Sequence, residues 1–264
     1  MNLHGTHEIK TVGKTSIYQA GSGKIENINL DILNLQEGDV YDFPVSISEQ
    51  VIILLTGSLL VSLDGEMNEI GGRSSVFEGP AAAIYVGAGN TMTVEATSKS
   101  EMAIVSTNNS THPYPNKVIT PDNVIIKDVG KHHWRRTVHT ILPGDFPADK
   151  LIIGETFNDA GAWSSSPPHK HDREKLPDES KFEELYFYRV EPVQGFGIQR
   201  VYSDDHGVDE CYTVKYNDHV EIPFGYHPVV AGPNYRLYYL WILVGEGREP
   251  VWFEDPNHSW INEL

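Results

Sequence analysis

Residues 50–67 read QVIILLTGSLLVSLDGEM. The run is dense in valine, isoleucine and leucine, and its polar positions do not recur at helical spacing. Thr56 and Gly57 break it, and Asp64-Gly65 closes it with a pair suited to a tight turn. The stretch therefore predicts two strands joined through Thr56-Gly57 and a further turn at Asp64-Gly65. The same texture recurs in NINLDIL, AAAIYVGAG, EMAIVST and KLIIGETF, and later in ELYFYRV, GFGIQRVYS, ECYTVKY and YRLYYLWILVG. Gly, Asp, Asn or Pro commonly separates these runs. That is the pattern of an all-β antiparallel sandwich or barrel.

A chain of 264 residues accommodates one large β-domain or two ordinary ones. The stretch TNNSTHPYPNKVITPD, residues 107–122, carries three prolines and no periodicity, and it reads as a linker. Similar numbers of strand-like runs lie on either side. Two β-domains are expected, residues 1–118 and 119–264.

The net charge is −17, with no compensating basic run, which disfavours nucleic acid and acidic membranes as partners. A small molecule, or a second copy of the chain in a homo-oligomer, remains. No segment has the long uncharged apolar run of a membrane helix, and MNLHGTHEIKTVGK lacks a signal-peptide core, so a cytoplasmic protein is expected. The single cysteine, Cys211, lies in the strand-like DECYTVKY and reads as a buried thiol.

Three pieces of the C-terminal half carry chemistry. In PPHKHD, an extended segment after Pro168 puts His169 and His171 on one face and Lys170 on the other, although two exposed loop histidines would look the same. In EELYFYR, alternation groups Glu184, Tyr186 and Tyr188 against Leu185 and Phe187, with Glu183 facing away as a solvated neighbour. In IPFGYHPVV, a Pro223–Gly225 turn presents His227. Together these offer a His3Glu ligand set for one divalent ion: zinc, manganese or iron(II).

These residues resemble the two motifs of the cupin superfamily. The longer run from about Gly154 to Ile261, with its DREKLPDESKF insert, resembles the 5-deoxy-glucuronate isomerases of myo-inositol catabolism; the 4-deoxy-uronate ketol isomerases are a less close match. The N-terminal half resembles a cupin in architecture only, without the histidines. The resemblance implies a bicupin of two cupin-type β-barrels, the first empty and the second metal-bearing. It implies an aldose–ketose isomerase acting on a small sugar acid through proton transfer. The family pattern has asparagine where this chain has Trp241.

For the base, Tyr202, Tyr186 and Glu184 are candidates, since a phenol beside a cation ionises more readily. For the substrate carboxylate, Arg200 is the first expectation, on one face with Tyr202 and opposite Gln199 and Val201. Arg189 and Arg236 are weaker choices. Asp204, Asp205, His206, Asp209 and Glu210 read as a solvated hairpin. The basic patch GKHHWRR, with His132 and His133, reads as a polar loop, an interface or an anion contact. His139 reads as half-buried in a strand. A cupin dioxygenase with the same ligands is the rival reading, and a sugar-binding protein without turnover is the third.

Overall fold

The computed structural model describes residues 1–108, 110 and 112–263. Its first strands are β1 (His4–Thr6), β2 (Gly13–Tyr18), β3 (Ile28–Leu35), β4 (Val40–Phe43), β5 (Gln50–Thr56) and β6 (Ser58–Leu63). Then come β7 (Glu66–Gly71), β8 (Ala82–Val86), β9 (Met92–Ala96), β10 (Ser100–Thr107) and β11 (Lys117–Ile119). The second half holds β12 (Ile125–Val129), β13 (Arg136–Leu142), β14 (Leu151–Asn158), β15 (Trp163–Ser164), β16 (His169–Lys170) and β17 (Phe182–Glu191). It ends with β18 (Gly197–Ser203), β19 (Val208–Val214), β20 (Asp218–Ile222), β21 (Val229–Ala231), β22 (Arg236–Gly245) and β23 (Phe253–Glu254). No α-helix occurs among the described residues, only short 3₁₀ turns.

The opening stretch folds as its sequence predicts. Gly57 alone separates β5 from β6, at φ +93°, where a side chain would meet Lys99 and Ser100. Asp64 and Gly65 both take positive φ in the β6–β7 hairpin.

Each half pairs a large sheet with a small one. The large sheets run β11-β8-β5-β10-β3-β2 and β1-β20-β17-β22-β14-β13-β12; the small ones run β4-β9-β6-β7 and β15-β21-β18-β19. Strand alternation then sorts much of the core into the interior of each half and a layer between the halves. In β5, Ile52 and Leu54 turn into the first half's interior, while Val51, Ile53 and Leu55 turn outward. In β17, Tyr186, Tyr188 and Val190 turn into the second half's interior, while Leu185 and Phe187 turn outward. The two outward faces pack on each other as one apolar layer that also takes Ile141, Ile153, Leu240 and Ile242. Burying each such side chain stabilises the fold by roughly 1.5–3 kcal/mol.

Polar contacts cross this layer too. Glu49, fully buried, accepts the backbone N–H groups of Asp149, Lys150 and Leu151 at 2.7–2.8 Å and the hydroxyl of Tyr85. Arg73 forks onto Glu155 at 2.7 and 3.1 Å. Glu183 accepts the N–H groups of Glu26 and Asn27, so it serves as a tie between the halves where a solvated carboxylate was expected.

Three details differ from the sequence reading. β1 pairs with β20, so the N-terminal strand belongs to the second half's sheet. The proline-rich linker contributes β11, paired with β8, so residue 118 falls within a strand of the first half; Asn109 and Thr111 of that linker lie outside the described residues. Cys211 is exposed: it sits at an outward position of β19, an outer strand whose burial alternates along its length.

Candidate metal centre

Three elements bring their polar groups to one point inside the second half. His171 follows β16, Glu184 lies on β17, and His227 follows the turn at Gly225. All three are buried, and their donor atoms lie within 4.8 Å of one another. Glu184 Oε2 stands 3.1 Å from His171 Nε2 and 3.3 Å from His227 Nε2.

The outer nitrogens are already fixed. His171 Nδ1 lies 3.2 Å from the carbonyl of Phe182, and His227 Nδ1 lies 2.9 Å from that of Gly225. A carbonyl only accepts, so each Nδ1 carries the hydrogen, and in the neutral ring Nε2 is left as a bare lone pair. His227 Nε2 is buried with no hydrogen-bond partner. Burial holds its pKa down to about 3, so the ring is neutral and a lone pair faces a carboxylate. Two acceptors in that position repel unless a cation lies between them. Burial also opposes charge on His171, but the hydrogen bond and charge of Glu184 outweigh it and raise the pKa. The pocket thus favours positive charge at this spot. Imidazole nitrogens held from behind by carbonyls are what a bound divalent metal requires, so these residues fit the ion.

His169 enters the same space, its ring 4.9 Å from that of His227 and 5.4 Å from Trp252, but it stands outside the three-donor group. As expected, Lys170 faces the other way. It binds both oxygens of Glu179 at 2.8 Å, and Asp172 at 2.5 Å. Asp172 in turn accepts the N–H of Gly225 at 2.8 Å, which ties the His169–His171 segment to the turn before His227. Gly225 sits at φ +82° close against Tyr202, where a side chain has no room.

A cavity of about 240 Å³ opens beside these groups. At ~30 Å³ per water that is the volume of about eight waters. Glu184, Tyr186, His169, Arg136, Tyr239 and Trp241 are among its walls. Tyr186 stacks on Tyr239 at 4.3 Å, and its hydroxyl lies 3.3 Å from Ser165 Oγ. Burial and the nearby Glu184 push its pKa well above the ordinary phenol value, so it keeps its proton.

The other expected site residues stand elsewhere. Arg200 and Tyr202 do share a face of β18, but it is the outer one: Gln199 and Val201 are fully buried instead. Arg200 forks onto Asp209 across the exposed hairpin at 2.7 and 2.9 Å and lies over the Tyr202 ring. The Tyr202 hydroxyl donates to Asp255 at 2.6 Å, and burial together with that bond raises its pKa, the reverse of what a base needs. Arg189, one residue out of phase with Tyr188, points toward the first half, where it pairs with Glu101 at 2.9 Å, and it also donates to Asn217 of its own half. Arg236 pairs with Glu191 at the surface. Alternation grouped Arg200 with Tyr202 rightly; which face looked inward depended on long-range packing. His206 stacks on Phe224 at the hairpin end, and His132 and His133 lie exposed in a 3₁₀ turn. His139 is buried, 3.8 Å from Glu155, in the layer between the halves. The sequence reading missed Arg136 as a cavity wall. Its signal was the basic patch GKHHWRR and the alternation that sets Arg136 with Val138.

Residues 5–261 match the KduI/IolB family. A protein of Halalkalibacterium halodurans named 5-deoxy-glucuronate isomerase is 39% identical, with 92% of this chain and 91% of that one covered. The crystal structure of an IolB-like protein from Salmonella typhimurium superposes with a TM-score of 0.94 at 34% identity, covering 99% of this chain and 100% of that one. An oxalate decarboxylase of Bacillus subtilis, described with Mn(II) centres, gives a TM-score of 0.65 at 13% identity over 96% of this chain and 79% of its own, which is a likeness of fold alone. The architecture is therefore the cupin type with two barrel-like halves, and the chain belongs to the KduI/IolB family.

Proposed function

We propose that the chain is a metal-dependent aldose–ketose isomerase converting 5-deoxy-D-glucuronate to 2-deoxy-5-keto-D-gluconate in myo-inositol catabolism. The observation that carries the reading is the buried meeting of His171, Glu184 and His227, with a bare imidazole lone pair turned on a carboxylate. The name borne by relatives 36–39% identical supports the substrate. His169, whose ring neighbours that of His227, is the fourth donor.

A divalent ion held by His171, Glu184, His227 and His169 would supply Lewis acidity toward the substrate's carbonyl, which would acidify the neighbouring C–H. The protein's own groups handle the protons. The proton on the hydroxyl-bearing carbon moves to the aldehyde carbon, and the hydroxyl proton passes to the former aldehyde oxygen, so no electrons leave the molecule. Glu184, a carboxylate in the cavity wall, is the group able to take and return the carbon-bound proton. Tyr186 stays protonated and donates a hydrogen bond to oxygen as charge develops there. Trp241, Trp252 and Leu243 add apolar surface to the cavity wall.

An anaerobic NMR assay of metal-loaded protein with 5-deoxy-glucuronate in deuterated water tests the reading. The keto acid should appear without oxygen, with deuterium on the carbon beside its carbonyl. No product, or product only under oxygen, would overturn it. The 4-deoxy-5-keto-uronate serves as the comparison substrate and should turn over more slowly.

A further inference from the structure

Eight arginines occur in the sequence. Six form ion pairs: Arg73 with Glu155, Arg135 with Asp128, Arg173 with Asp205, Arg189 with Glu101, Arg200 with Asp209 and Arg236 with Glu191. Arg248 is held by the carbonyls of Pro143, Phe146 and Leu151, which engage all three of its nitrogens. Arg136 differs from all of these. Its Nη1 makes two long bonds, 3.3 Å to the carbonyl of Trp134 and 3.2 Å to that of Ser166. Its Nε and Nη2 make none, and no carboxylate lies within ion-pair distance among the described residues.

The surroundings make this informative. Arg136 lines the same cavity as Glu184, Tyr186 and His169. A guanidinium cannot shed its charge at neutral pH, so it stays cationic in partly buried surroundings. A chain carrying net charge −17 has carboxylates to spare, yet none has been set against this one cation. The neighbouring positions of β13 behave otherwise: Arg135 and Thr137 both bind Asp128 on the outer side.

We infer that Arg136 is the receptor for the substrate's carboxylate, which it takes on the open Nε/Nη2 edge of its fork. This rests on the isomerase reading above. It adds which end of the molecule is held, and by what. A carboxylate binds that edge through two parallel charge-assisted hydrogen bonds. Holding the acid end there leaves the aldehyde end for Glu184 and His169, which line the same cavity. The residue would then select acids over neutral sugars, and its contribution would be the same in the ground and transition states, because the carboxylate does not react.

The test compares 5-deoxy-glucuronate with its neutral primary amide in the metal-loaded wild type, Arg136→Gln and Arg136→Lys. The wild type should prefer the acid at least about tenfold in kcat/KM, the range of a charge-assisted pair. Arg136→Gln should raise KM for the acid about 10–100-fold, leave kcat within about threefold and erase the preference, with unchanged metal content and melting temperature. Arg136→Lys, keeping charge without the fork, should fall between. A residue that only props the Ser166 carbonyl would alter both substrates alike. An inert wild type overturns the isomerase reading and this inference together. An active wild type that treats acid and amide equally overturns the inference alone, even if neither variant folds. So does an unchanged acid preference in Arg136→Gln.

Discussion

The two halves solve the same packing problem with different residues. In the first, the space between the large and small sheets is filled by Leu33, Ile52, Leu54, Val61, Ile84 and Val94 and their neighbours, an apolar and mainly aliphatic core. In the second, the equivalent space is walled by Tyr186, Tyr188 and Tyr239 and holds His171, Glu184 and His227. Fold alone therefore does not make the site. Inward positions that carry leucine in one half carry ligands and hydroxyls in the other. The first half contributes none of the three grouped donors, yet its outward face covers the back of the sheet that bears Glu184.

The sharpest way to break this comparison is to remove a ligand. His227→Ala deletes the buried lone pair. Metal content should drop to background, and activity should fall by at least about 10³-fold, since a Lewis acid contributes several kcal/mol and each 1.36 kcal/mol is a decade in rate. Elemental analysis alongside the NMR assay checks both. A truncation of similar size in the first half, Ile52→Ala, should cost about 2–5 kcal/mol of stability and leave bound metal per folded chain unchanged. Metal loss there would erase the distinction between the halves.

How much of this was legible beforehand follows from the range of each signal. Period-two alternation is local, so the strands, the Thr56-Gly57 and Asp64-Gly65 turns, and the common face of Glu184, Tyr186 and Tyr188 could be read directly. The meeting of His171, Glu184 and His227 was legible because each lies in a short motif with its own geometry. Whether a strand's face looks inward is not local. Arg200 was assigned to the interior because its fork suits a carboxylate, yet β18 buries Gln199 and Val201 instead. Arg136 was passed over because neighbouring histidines and Arg135 made its surroundings resemble a surface loop. The pairing of β1 with β20, more than two hundred residues away, has no local trace.

A second group of tests concerns the layer that joins the halves. Arg73→Met leaves Glu155 charged and buried against Tyr238, and breaking a buried pair from one side costs about 3–5 kcal/mol. Urea denaturation should show that loss in one transition. Adding Glu155→Gln should recover part of it. Two separate transitions in the parent protein would mean that the halves fold independently.

A smaller effect is expected at Gly154, on the inner face of β14. A Cβ there would run into the Trp241 indole and approach the His139 carbonyl. Gly154→Ala should cost about 1–3 kcal/mol by overpacking. Because Trp241 is also a cavity wall, the variant should lose activity while retaining metal. Adding Trp241→Asn, which restores room for the methyl group, should relieve part of the strain; no relief would mean that the His139 backbone sets the limit.

The mildest test concerns the strand that crosses between the halves. His219 lies under Gly5 of β1, and its Nδ1 is 2.7 Å from His7 Nε2, so one ring donates and the other accepts. His4 bonds Asp218 beside them at 2.8 Å. Burial, then the neighbouring His7 and His4, hold the His219 pKa at about 3, against an ordinary value of 6.5. In that interval the unfolded chain binds the proton and the folded chain does not. The stability from the neutral pair is therefore complete above about pH 6.5 and is lost as pH falls toward 3, with a slope of at most ~1.4 kcal/mol per unit. Near pH 6 the loss is below about 1 kcal/mol. His219→Gln, which can hydrogen-bond but cannot titrate, should show a shallower decline in urea-derived stability between pH 6.5 and 5 than the wild type. Parallel curves would mean that the crossing strand is not held by a neutral histidine pair.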